Sequence, residues 1–170
     1  YGETKLAGER AVQQVGGAYW IFRTSWVYSL RRPCFVTKVL DWAHNHETLR
    51  IVDDQISSPT WARTLAEGTA HIVFQAKSDL TAYIQSNTGL FHLTNNGFCS
   101  RYDWASSILN NMQDKSNCKV KHLEQAKSSE FSNAAARPLF SVLDLQKIKD
   151  QFYLIIPDWD VSLKLALNHL

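Results

Sequence analysis

A helical stretch halted by a glycine pair, and followed at once by an unbroken apolar run, leaves few folds open to this chain. Residues 3–15 place Leu6, Ala7, Ala11 and Val15 on one side of a helix, with Glu9 and Arg10 elsewhere. Gly16-Gly17 suits the left-handed positions that end a helix. From Ala18 to Phe22 every residue is apolar or aromatic, the pattern of a strand buried on both faces. Helix, glycine stop and buried strand make half of a parallel α/β unit. Ligands of open parallel sheets sit beyond the carboxyl ends of strands, so Arg23 to Ser29 is where substrate contacts are expected.

The remainder continues the alternation. Pro33 opens a helix with Phe35, Val36, Val39, Leu40 and Ala43 as its buried stripe, and Leu49 to Val52 reads as a short strand. Asp53-Asp54-Gln55 reads as a solvated turn. Ser58-Pro59-Thr60 is expected to start a helix whose buried face is Leu65, Thr69, Ile72, Val73 and Ala76. Lys77-Ser78-Asp79 ends it, and residues 80–88 are ambiguous. Gly89 to Thr94 is a strand with a turn after it at Asn95-Asn96-Gly97, and His92 reads as a core histidine. Ser100 and Asp103 form a capping-box pattern ahead of Trp104, Ile108, Leu109 and Met112. Cys118 to Leu123 is expected as a small strand, and 124–136 as loop. A short helix begins at Leu143, and Pro157-Asp158-Trp159 caps a terminal one with Trp159, Leu163, Ala166, Leu167 and Leu170 inward.

Charge and cysteine usage narrow the partners. At 170 residues the chain fits one domain, and a net charge of +2 without a basic run argues against nucleic acid. Cys34, Cys99 and Cys118 lack metal-ligand spacing and read as buried or free thiols in a reducing cytosol. No apolar run reaches membrane-spanning length, so no membrane partner is expected and a cytoplasmic setting is. His44 and His46 point apart on a helix, so no metal site is expected there.

The first five residues carry the chemistry. On a helix, Tyr1 and Lys5 lie one turn apart on one face. An ammonium beside a phenol favours the phenolate, which makes the hydroxyl a readier proton donor to a carbonyl under reduction. No Gly-x-Gly-x-x-Gly follows a strand, and Gly16-Gly17 ends a helix instead of opening one. The pyrophosphate cradle of a dinucleotide fold is therefore not in these residues. Starting at Tyr1, directly on a helix, the chain reads as a piece of a longer protein.

Taken together, Tyr1 to Lys5, Arg23 to Tyr28, Asp54 to Thr60, Gly89 to Thr94, Ala136-Arg137-Pro138 with Ser141 to Leu145, and Pro157-Asp158-Trp159 resemble the extended short-chain dehydrogenase/reductases. Within them they are most similar to the dTDP-4-dehydrorhamnose reductases. The resemblance implies an α/β fold: the C-terminal portion of a Rossmann-like, doubly wound parallel sheet plus a small α/β substrate-binding subdomain. Residues 1–32 would close the cofactor-binding domain. Residues 33–170 would mix its remaining elements with the substrate-binding subdomain, and the glycine-loop half would lie outside the chain. It also implies reduction of the 4-keto group of dTDP-4-dehydro-L-rhamnose by NADPH or NADH. Tyr1 would be the general acid, Lys5 would hold the nicotinamide ribose, and Thr24 would meet the cofactor. Ser25, Trp26 and Arg137 would bind the nucleotide sugar, the arginine at its diphosphate. Members that bind magnesium carry a glutamate near Gln146. A neutral amide is a poor ligand for a hard cation, so magnesium is not expected, and a homodimer of the parent protein stays open. The 170 residues alone are expected to be inactive, without measurable NADPH affinity. Two other readings stay open: a non-catalytic regulatory or binding homologue, and another nucleotide-sugar epimerase or reductase.

Overall fold

The computed structural model describes residues 2–131 and 138–168. Helix α1 spans Gly2–Val15 and stops where Gly16 and Gly17 turn to φ +74° and +82°. A side chain would clash with its own backbone at such angles, which is why glycine stands there. Strand β1 follows as Trp20–Arg23. It pairs in parallel with β6, Gly89–His92, in a register that sets Trp20 beside Gly89 and Arg23 beside His92. Parallel partners need a long crossover, and here it carries α2 (Phe35–Asn45), α3 (Ala62–Gln75) and α4 (Leu80–Ser86).

Three further pairs complete the strand set among the described residues. Strand β2, Val27–Tyr28, runs parallel to β5, Thr60–Trp61. Strand β3, Thr48–Val52, runs parallel to β8, His122–Ala126. Strand β4, Ile56–Ser57, is antiparallel to β7, Cys99–Ser100. Helices α5 (Arg101–Asn110) and α7 (Trp159–Leu167) pack over them, and α6 (Gln146–Phe152) packs against β6. One core gathers Tyr28, Val36, Val39, Ile51, Trp104 and Leu163, and a second gathers Ile72, Phe91, Leu93, Ile148 and Phe152.

Several expectations are corrected. Helix α1 buries no residue: Leu6 and Val12 stay near 40% exposed, and Val15 is 87% exposed. Strand β1 is half-buried, not buried on both faces. Val73, expected on the buried face of α3, is exposed. Ser58-Pro59-Thr60 does not open a helix, because the Ser58 hydroxyl donates to the Gly97 carbonyl (2.6 Å) and Thr60 joins a strand. Helix α3 begins two residues later. Residues 80–86 are helical, with the Asp79 carboxylate accepting from the Ala82 N–H at 2.9 Å, a cap of ordinary local type. The strand expected at 118–123 lies at 122–126, where pairing with β3 dictates its position, and Ser128–Glu130 is a 3₁₀ turn instead of loop.

At the carboxyl end of β6 the side chain of Asn95 is wholly buried. Its Oδ1 accepts from the Trp61 N–H (2.9 Å), while Nδ2 donates to Ser162 Oγ (2.7 Å), the Pro157 carbonyl (3.0 Å) and Thr64 Oγ1 (3.3 Å). Replacing it by leucine strands these partners without water. Asn95→Leu is expected to lower unfolding stability by about 3 kcal/mol, read as a fall in the urea midpoint with an unchanged m-value.

Candidate active site

An ion pair joins the carboxyl end of β1 to α1. Arg23 Nε donates to Glu9 Oε1 at 2.8 Å and Nη2 to Oε2 at 2.6 Å, the bidentate geometry that guanidinium and carboxylate planes favour. The bond from Arg23 holds the Glu9 carboxyl below its usual value. Because the two planes lock together, the pair fixes how α1 lies along the strand end. Lys5 is one turn before Glu9 on the same helix face. It lines a cleft of about 400 Å³ with Leu6, Glu9, Phe22, Arg23, Thr24 and Leu143. The cleft therefore offers an ammonium and a hydroxyl between apolar edges.

A second cleft, of about 350 Å³, adjoins it and shares Leu143. Ser58, Asn96, Gly97, Asp144 and Lys149 are among its walls. Lys149 Nζ donates to Asn96 Oδ1 at 2.9 Å. Ser25 ties the two together, since its hydroxyl donates to the Ser58 carbonyl at 2.8 Å. The segment Arg23 to Trp26 thus passes from one cleft toward the other.

Trp26 departs from ordinary backbone geometry, with φ +42°. A bulky residue there is strained by of order 1 kcal/mol and persists only where its surroundings enforce it. Its carbonyl accepts from the Thr60 N–H at 3.2 Å. Its indole stacks on that of Trp104, centroids 5.6 Å apart and planes 8° from parallel. The guanidinium carbon of Arg101 lies 3.9 Å from the Trp26 ring centre. Beneath them Trp104 and Tyr28 are buried, and burial pushes the Tyr28 phenol above its usual range.

The structure brings Lys5 and Thr24 into one cleft and bonds Ser25 to Ser58, which lines the next. Trp26 stands just beyond, half-buried against the aromatic core. Tyr1 and Arg137 lie outside the described residues. Gln146 is exposed, and its amide donates to Asp150 Oδ1 at 2.8 Å. His92 lies at the margin of the core, its Nδ1 2.9 Å from the Asp144 carbonyl oxygen. Sequence reasoning missed Glu9, Arg23 as its partner, Ser58, Leu143 and Arg101. Arg23, Ser58 and Leu143 lie in stretches that carry the family resemblance and Glu9 lies four residues from Lys5, whereas Arg101 had no such signal.

Helices laid along parallel strand pairs, with a polar segment at the carboxyl end of β1, make an α/β arrangement of Rossmann-like kind, as in the solved reductases it superposes on. No helix among the described residues is long and apolar enough to cross a membrane. The chain belongs to the RmlD substrate binding domain family, whose model matches residues 1–170. It is 36% identical over 173 residues to dTDP-4-dehydrorhamnose reductase of Escherichia coli K12, covering 100% of this chain and 56% of that protein. A solved dTDP-4-dehydrorhamnose reductase from Bacillus anthracis, in complex with NADP, superposes with a TM-score of 0.83 at 29% identity. That match covers 100% of this chain and 55% of the other. The reductase from Clostridium acetobutylicum gives 0.84 at 30% identity, over 99% and 55%. The chain spans little more than half the length of these relatives.

The Glu9–Arg23 pair makes a pH prediction. A carboxyl lowered in the folded state stabilises above its unfolded value, and that contribution is lost as pH falls through the folded one. The melting temperature of Glu9→Gln is expected to lie below wild type near neutral pH. The gap should close as pH drops below about 4, checked by calorimetry from pH 3 to 7.

Proposed function

We propose that this chain carries the acid–base helix and the sugar-binding wall of a reductase that converts dTDP-4-dehydro-L-rhamnose to dTDP-L-rhamnose. The observation that carries the reading is the placement of Lys5 and Thr24 in one cleft at the carboxyl end of β1, in a chain of this family. The donor set fits a nicotinamide riboside, with the ammonium and hydroxyl for ribose oxygens and Leu6, Phe22 and Leu143 for the ring. NADPH or NADH, when bound, supplies a hydride to C4 of the keto sugar.

As the new C–H bond forms, the carbonyl π pair moves onto O4, and Tyr1 gives its phenolic proton to that oxygen. The O–H bond of Tyr1 breaks, and its phenolate is favoured by the positive charge of Lys5. Thr24 and Lys5 orient the cofactor ribose; Ser25 and Trp26 hold the sugar, with the indole face against the apolar face of the deoxysugar ring. Arg137 meets the diphosphate through its planar fork. Residues 1–32 close the cofactor domain in this reading, and the enzyme works on its diffusible substrate in the cytosol.

In the full-length protein, Tyr1→Phe is expected to lower kcat by about 10³-fold while NADPH affinity stays within about twofold. Trp26→Ala is expected to raise KM for the keto sugar by about tenfold. Both are read by NADPH oxidation with dTDP-4-dehydro-L-rhamnose and other nucleotide 4-keto sugars. Turnover by Tyr1→Phe at the wild-type rate would overturn the assignment. No oxidation with any of these sugars by the wild type would favour a non-catalytic homologue.

A further inference from the structure

We propose that Arg101 is a positioning residue for Trp26, pressing the indole into the orientation in which its far face meets the sugar. The proposal rests on the reading of Trp26 as the sugar-binding wall. The Arg101 guanidinium carbon lies 3.9 Å from the Trp26 ring centre, 4.8 Å from that of Phe35 and 5.4 Å from that of Trp104. Together with the Trp26–Trp104 stack at 5.6 Å, these separations put Arg101 and Trp104 on the same side of the Trp26 plane. A ligand meeting the indole face to face would therefore use the other side.

Arg101 is itself held. It is the first residue of α5, whose start is fixed by the Ser100–Asp103 capping box, and its N–H donates to the Gln55 carbonyl at 3.1 Å. The strained φ of Trp26 needs such enforcement, because its own backbone preference points elsewhere. A planar, weakly hydrated guanidinium lies flat on aromatic faces, whereas the compact, hydrated ammonium of lysine does so less well.

The test uses the full-length protein, with KM and kcat for dTDP-4-dehydro-L-rhamnose and calorimetric affinity for dTDP-L-rhamnose. Arg101→Leu is expected to raise KM and the product Kd by about tenfold, with kcat and NADPH affinity within about twofold. Arg101→Lys should fall between wild type and Arg101→Leu, at about threefold, and it carries the test by itself if Arg101→Leu does not fold. On a Trp26→Ala background, Arg101→Leu should add nothing. An unchanged KM in both Arg101 variants, beside a raised KM in Trp26→Ala, overturns the positioning role alone, as does full additivity in the double variant. An unchanged KM in Trp26→Ala instead defeats the reading of Trp26, and this inference with it.

Discussion

One buried carboxamide joins the ends of segments that no local preference would bring together. Asn95 leaves β6, supplies the acceptor that Trp61 needs at the start of α3, and reaches Ser162 and the Pro157 carbonyl at the start of α7. An amide can donate twice and accept twice, so a single side chain serves both helix starts where a hydroxyl could not. Satisfying all of them in a dry interior costs no unpaired group, which makes the arrangement specific as well as stable. Asn96 next to it continues the joint, its N–H donating to Pro157 and its carbonyl accepting from Trp159.

The clefts depend on this joint because they lie at the same strand ends. Once β1 and β6 are in register, Arg23 stands beside His92 and the following residues must cross the top of the sheet. The Glu9–Arg23 pair then sets the pose of α1, and with it Lys5, without any buried contact from that helix. Exposed ion pairs stabilise folds little, so the value of this one is orientation. On the other side, the aromatic group of Phe35, Trp104 and Trp26 under Arg101 builds a stiff wall from flat surfaces.

Local chemistry was legible wherever the partners were neighbours. Ser100 and Asp103 are three residues apart and form the box their spacing announced, with the Ser100 hydroxyl accepting from the Asp103 N–H at 2.9 Å. Gly16 and Gly17 stop their helix as expected. Ser58 misled because its hydroxyl had two uses, a local cap or a distant carbonyl, and tertiary packing offered Gly97. Residues 122–126 misled for the same reason: exposed positions such as Glu124 and Gln125 carry no apolar alternation, and only β3 makes them a strand. Of the candidate site, Lys5 and Thr24 could be placed near one strand end by counting along the chain. That Leu143 closes their cleft could not, since it arrives from more than a hundred residues away.

By itself, the sequence determined the parallel α/β class, the main helices and the strand ends at which chemistry is expected, because periodicity, caps and glycine stops act between residues a few places apart. Tertiary structure alone decided which hydroxyl caps and which reaches across, where β8 begins, and that Arg101 lies on Trp26. Those outcomes turn on which polar groups meet when the chain closes, and a buried donor takes the partner that packing presents. Such a partner is set by the geometry of the whole fold and by no spacing along the chain.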